Sequence, residues 1–202
     1  MAGIRLHQRM TANATSGALA APMPKTNSEV QDFDNVVLLF WPRIHRFLLA
    51  SLRDSDAAET LTQECFLRAF RARHRFRGDS SVHTWLMRIA INLARDFARN
   101  RRLQFWRWTR VSGLDTHDIS EWIPDSSASP EARTLQKERI TAIWRATKTL
   151  SERQRTVFIL RFVEDMDVLE IADATGLSEG SVKVHLFRAL QTVRRRIGKT
   201  HA

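Results

Sequence analysis

Apolar residues along this chain recur at spacings of three and four, and strand-like alternation is nearly absent. That period predicts helices throughout. A first helix runs over Phe33 to Leu52 and ends where Asp54-Ser55-Asp56 breaks the pattern. Asp56 followed by Glu59 has capping-box spacing, so a second helix is expected from Asp56 to about His74, with Leu61, Cys65, Phe66, Ala69 and Phe70 as its apolar stripe. Arg77-Gly78-Asp79-Ser80 signals a turn. A third helix then covers about Ser81 to Arg102 with two different faces. Leu86, Ile89, Ala90, Leu93 and Phe97 fall on one side. Trp85, Arg88, Asn92, Arg95 and Arg99 fall on another.

The pattern resumes near Glu131. Ser151-Glu152-Arg153-Gln154 is a capping box opening a helix with Val157, Phe158 and Phe162 on its inner side. Val168 to Thr175 reads as a short helix, Gly176 as a turn in left-handed backbone, and Ser178 as the cap of a last helix. In that helix Val182, Leu186, Ala189, Leu190, Val193 and Ile197 form one stripe. This is helix-turn-helix patterning. It would set Ser181, Lys183, His185 and Arg188 towards the base edges and phosphates of a major groove. A hairpin used for protein contact is the alternative.

The expected fold class is therefore all-α. Two small helical domains, residues 32–108 and 131–198, are joined by a flexible linker over 109–130. The linker carries Asp115, Asp118, Glu121 and Asp125 with two prolines, and beyond Arg110 it has no Lys or Arg. The first 31 residues are expected to be a disordered tail, in which Met10 and Met23 are alternative starts.

Charge changes this picture. The net charge of +10 is weak evidence by itself. Its placement says more, because residues 68–110 hold twelve arginines against Asp79 and Asp96, and the rest of the chain balances. The same stretch contains Phe76, Trp85, Phe105, Trp106 and Trp108. Arginines with aromatic rings suit single-stranded DNA, where phosphates are neutralised and bases stack. Core packing is the alternative for Phe76 and Trp85.

Other chemistry is not indicated. The single cysteine, Cys65, permits no internal disulfide and reads as a small core residue. The seven histidines show no metal-ligand spacing, and no glycine-rich phosphate loop is present. No catalytic residue, metal or cofactor is expected, and no apolar run is long enough to insert in a membrane.

Two stretches resemble a known family. Residues 56–70 (DAAETLTQECFLRAF), then Phe76 to Ser80 and Thr84 to Asn92, are similar to region 2 of the extracytoplasmic-function (ECF) sigma factors of bacterial RNA polymerase. Residues 150–155 (LSERQR), Ile171-Ala172 and residues 180–189 (GSVKVHLFRA) are similar to their region 4. The resemblance implies a cytoplasmic initiation factor with core polymerase, promoter DNA and an anti-sigma factor as partners. It implies that Asp56, Glu59, Thr62, Gln63 and Glu64 dock on the clamp helices of the largest subunit, while region 4 meets the flap. It assigns recognition and melting of the −10 element to Phe76, Ser80, Ser81, Trp85, Arg88, Asn92, Arg95 and Arg99. It assigns reading of the −35 duplex to Ser178, Ser181, Lys183, His185 and Arg188. Lys183-Val184-His185 stands where many members have Arg-Ser-Arg, and Trp106 and Trp108 have no family role. The competing class is a helix-turn-helix regulator that acts without polymerase. It needs a ligand pocket or dimer face in residues 33–108, and none is apparent.

Overall fold

The computed structural model describes residues 32–107 and 140–198, with side chains of the first stretch described as far as Asn100. The expected tail, the linker and Trp108 lie outside these residues, as do the side chains of Phe105 and Trp106. Helix α1 is Phe33–Leu52, α2 is Ser55–Ala72, continued by a 3-10 turn at Arg73–Arg75, and α3 is Val82–Arg107. Residues 140–147 are helical and are labelled α4. Helix α5 is Glu152–Phe162, α6 is Val168–Thr175 and α7 is Glu179–Gly198. Among the described residues there is no strand.

Helices α1, α2 and α3 pack on one another as a bundle. Helix α1 buries Val36, Phe40, Ile44, Phe47 and Leu48, a stripe at helical spacing. It stops at Arg53, whose φ of 56° is left-handed. The cap of α2 is therefore Asp54 and not Asp56: Asp54 has extended backbone, and its carboxylate accepts from Ala57 N at 3.0 Å. Asp56 falls inside the first turn, where a negative charge still favours the helix N-terminus.

The buried stripe of α2 is Ala58, Thr62, Cys65, Phe66 and Ala69. Phe70, expected inside, is instead 44% exposed. Its ring meets Phe33 edge-on at 5.3 Å, and the Arg73 guanidinium lies 3.8 Å from its centroid. The third helix begins at Val82 because the Ser81 hydroxyl accepts from Thr84 N. It runs past the predicted end at Arg102 to Arg107.

In the C-terminal unit the Ser151–Gln154 capping box forms as the spacing predicts. A second one, Asp167 with Glu170, opens α6. Gly176 ends α6 with φ 72°, and Ser178 accepts from Ser181 N to cap α7. Val157 and Phe158 are buried, but Phe162 is 47% exposed, because α5 ends there and its ring lies over Phe158 at the surface.

The two units share one buried apolar cluster. Helix α1 packs on α5, and α3 packs on α6. At the centre of this junction is Glu164, in the α5–α6 connection, which is only 1% exposed. Its carboxylate accepts from Arg46 Nε at 2.7 Å and from Arg43 Nε at 3.2 Å, both on α1. Its backbone carbonyl accepts from Arg43 Nη2 at 2.7 Å. His83 Nε2, on α3, is 3.8 Å from the carboxylate and stacks on Phe40. A second tie joins Arg53 Nη2 to Thr147 Oγ1 at 2.9 Å.

Burial pushes the Glu164 carboxyl up, but His83, Arg46 and Arg43 reverse this and hold it below its ordinary value. Burial lowers the His83 pKa, and the nearby Glu164 only partly restores it. Both depressed values have the same sign in linkage. Each group resists protonation when packed and accepts it freely when released. The stability they contribute is thus present at neutral pH and lost on acidification. Loss begins below the ordinary histidine value of 6.5 and continues below the ordinary carboxyl value of 4.5.

Two outcomes follow from these local geometries. The melting temperature should be level near pH 7 and above, and should fall as pH drops below about 6.5. His83→Phe, which keeps a ring against Phe40, should flatten the upper part of that fall in a thermal melt series. Gly176→Ala meets no heavy atom within 4 Å of the added Cβ, so its cost is backbone strain alone. It should destabilise by about 1–2 kcal/mol in denaturant unfolding, and Gly176→Asn by less.

Candidate nucleic-acid interface

Helix α3 presents two unlike faces because its period puts two sets of side chains on different sides. Leu86, Ala90 and Leu93 are buried, and Ile89 and Phe97 are half-buried at the edge. Arg88, Asn92, Arg95 and Arg99 are exposed along one side. They are loosely organised among themselves. Arg95 donates to Asn92 Oδ1 at 3.4 Å, and Arg99 pairs with Asp96 at 3.1 Å. Exposed pairs of this kind hold an arginine weakly, so a phosphate can displace the carboxylate.

The aromatic residues of this site divide differently. Phe76 is 5% exposed, with its ring 5.1 Å from that of Trp85. It is core packing, not an open stacking platform, and it fixes the half-buried Trp85 beside the arginine row. Ser80 is half-buried in the turn, and Ser81 is engaged as the cap of α3. The turn passes through Gly78 at φ 78°, with Arg77 and Asp79 exposed and paired at 3.2 Å.

On α2, Asp56, Glu59 and Gln63 are exposed along one face, and Glu64 is half-buried and bonded to Arg68 at 2.6 Å. Thr62 does not belong to that face. It is fully buried, and its hydroxyl donates to the Ala58 carbonyl at 2.6 Å, so it cannot meet a partner protein. Cys65 beside it is buried, and burial above all pushes its thiol up to about 12.

The helix-turn-helix presents Lys183 and Arg188 to solvent. Lys183 is held only by Glu179 at 3.4 Å, one turn back on the same surface. Ser178 and Ser181 bond to each other at 2.9 Å at the start of α7. His185 is half-buried, and its Nδ1 is buried without a hydrogen bond. Of the predicted duplex-reading set, Lys183 and Arg188 are thus the accessible cations.

Sequence reasoning missed the groups that join the two units. Arg88 is ion-paired to Asp173 of α6. Arg88 and Asn92 line one side of a cleft whose other side is Leu169, Asp173, Thr175 and Leu177. Glu164 and its arginines come from sequence positions more than a hundred residues apart. No local pattern marks such pairs. The only signal was a pair of carboxylates, Glu164 and Asp165, between the apolar residues Val163 and Met166. Among the described residues no cluster could hold a metal, and no helix is long and apolar enough to cross a membrane.

Comparison with known proteins bears on the family and the fold. Residues 37–104 match Sigma-70 region 2, and residues 140–193 match Sigma-70, region 4. The chain is 32% identical to the ECF RNA polymerase sigma factor SigX of Bacillus subtilis, over 75% of this chain and 76% of that protein. It is 30% identical to the ECF RNA polymerase sigma-E factor of Escherichia coli K12, over 80% of this chain and 84% of that one. Among solved structures, RpoE of Bartonella quintana, crystallised with the anti-sigma factor NepR, shares the fold with a TM-score of 0.66 at 21% identity, over 83% of this chain and 98% of that one. CnrH, in complex with the cytosolic domain of CnrY, does so with a TM-score of 0.58 at 19% identity, over 84% and 90%. With both regions matched in order, and relatives matched over most of their length, this chain belongs to the ECF sigma factors of RNA polymerase.

Proposed function

We infer that this sigma factor brings core RNA polymerase to its promoters by reading two DNA elements in two physical states. The exposed arginine–asparagine row on α3, in a chain that also carries an exposed basic recognition helix, is the observation that supports this most. Arg88, Asn92, Arg95 and Arg99 hold the separated strand of the −10 element. Trp85, backed by Phe76, borders the unstacked base. Lys183 and Arg188 contact the −35 duplex from α7, with Ser178, Ser181 and His185 at the rim.

The energetics suit a division of labour with polymerase. Opening base-pair steps costs roughly 1–2 kcal/mol each in lost stacking. Stacking a captured base returns about 1–3 kcal/mol. A chain of this size can start a bubble, and the polymerase must supply the contacts that extend it. The acidic face of Asp56, Glu59 and Gln63, with Glu64 at its edge, is the docking surface for the clamp helices. The flap is the counterpart for region 4. An anti-sigma factor is the expected inhibitor, by analogy with RpoE and NepR. The site of action is wherever polymerase works, which is the cytoplasm.

Run-off transcription with core enzyme from a closely related bacterium tests the reading. Purified chain should yield a promoter-specific transcript, and its absence with every such core enzyme would sink the proposal. Asn92→Ala should weaken discrimination at the −10 element while leaving core binding unchanged in a pull-down titration. Lys183→Ala and Arg188→Ala should each lower duplex affinity by about tenfold and reduce its salt dependence, as loss of a phosphate or base contact does.

A further inference from the structure

We propose that Val184 and Phe187 on α7 read thymine by its C5-methyl group, so that the −35 element is selected in part by apolar contact in the major groove. The proposal rests on the assignment of α7 to that duplex. Two apolar side chains stand on the outer side of this helix, Val184 at 47% and Phe187 at 61% exposed. They are one turn apart, on the side turned away from the buried stripe of Val182, Ala189 and Val193. A single exposed apolar residue calls for no partner. These two adjoin, and they occupy the middle of the face that a groove would meet.

The groups around the pair identify what it touches. Lys183 and Arg188 are exposed beside it, and the only acid in α7 is Glu179. An apolar centre with cationic edges fits a groove walled by phosphates, where the edges hold the backbone and the centre meets the bases. Valine and phenylalanine offer no hydrogen bond, so they distinguish base pairs only by apolar surface. The major groove presents one such group, the methyl of thymine. The polar residues of α7 are less available for this task. Ser178 and Ser181 bond to each other at 2.9 Å, and His185 is half-buried.

Gly180 allows the close approach that methyl contact requires. It lies one turn before Val184 on the same side of the helix. Its φ is not positive, and a Cβ added there meets no heavy atom of the chain within 4 Å. Nothing inside the protein therefore calls for glycine, although glycine in a helix usually costs stability relative to alanine. The missing side chain is of use outside, where the start of α7 enters the groove. Gly180, Val184 and Phe187 form one strip at spacings of four and three, bare backbone first and two apolar side chains after it.

The promoter from which this chain initiates a run-off transcript supplies the probe. A fragment of it is made with thymine, and a second with deoxyuridine at every thymine of the −35 element. That exchange removes the methyls and keeps the hydrogen-bonding groups of each pair. Holoenzyme affinity for the two fragments is compared by competition. The parent chain should bind the deoxyuridine fragment about fourfold more weakly for each methyl it covers, the value of one buried methyl group. Val184→Ala with Phe187→Ala should bind both fragments equally, at an unchanged melting temperature, because both side chains are exposed. Gly180→Ala should melt no lower than the parent chain and bind the thymine fragment several-fold more weakly. Equal affinity of the parent for the two fragments overturns methyl reading, as does a −35 element without thymine. A preference that persists in the double variant belongs to duplex shape and overturns the role of the pair. The same result with a loss of polymerase binding makes the pair a protein-docking surface instead. Full affinity in Gly180→Ala overturns the close approach. A chain that initiates no transcript fails the functional reading, before any fragment is compared.

Discussion

A carboxylate taken out of water costs several kcal/mol unless opposite charge meets it on every open side. Glu164 satisfies that condition by borrowing Arg43 and Arg46 from a helix more than a hundred residues earlier. The borrowing sets the relation between the two halves of the chain. It places α6 against α3, brings Asp173 to Arg88, and defines which side of α3 faces a cleft. The apolar cluster that runs through both halves supplies most of the attraction, since burial of Val157, Leu160, Met166 and Ile171 is not directional. The ion cluster supplies the direction.

Two kinds of surface survive this packing. One is the acidic face of α2, whose exposed positions recur at three and four residues because the opposite stripe is committed to the bundle. The other is helix α7 of the helix-turn-helix, where Val182, Ala189 and Val193 are buried and Lys183, Val184, Phe187 and Arg188 between them are exposed. The arginine–asparagine row of α3 is neither wholly free nor wholly buried. Arg95 and Arg99 bond to neighbours on α3 itself, whereas Arg88 is ion-paired across to α6.

Much of this was legible in the sequence because helices announce themselves by period and by their ends. The Ser151 box, the left-handed Gly176 and the Ser178 cap all formed where spacing put them. Some of what was misread was also legible. Thr62 sits four residues after Ala58 and three before Cys65, so the stripe already contained it. Family resemblance gave it a partner that burial denies. Asp54 was overlooked as a cap because Asp56 had the more familiar spacing to Glu59. The burial of Phe76 and the Glu164 cluster were not legible, because each depends on residues brought together only by tertiary packing. Phe70 and Phe162 show the reverse effect, in which a helix edge or end leaves a ring at the surface that periodicity would place inside.

Cys65 carries one more consequence. It is the chain's sole sulfhydryl, and it remains a protonated thiol at any physiological pH, walled in by α2 and α3. Peroxides and disulfides react with thiolates that they can reach. Cys65 is therefore not a receptor for oxidants. An oxidative signal carried by thiol chemistry must be detected by another molecule and delivered as a change in binding. The chain itself responds in the currency of contacts made and released.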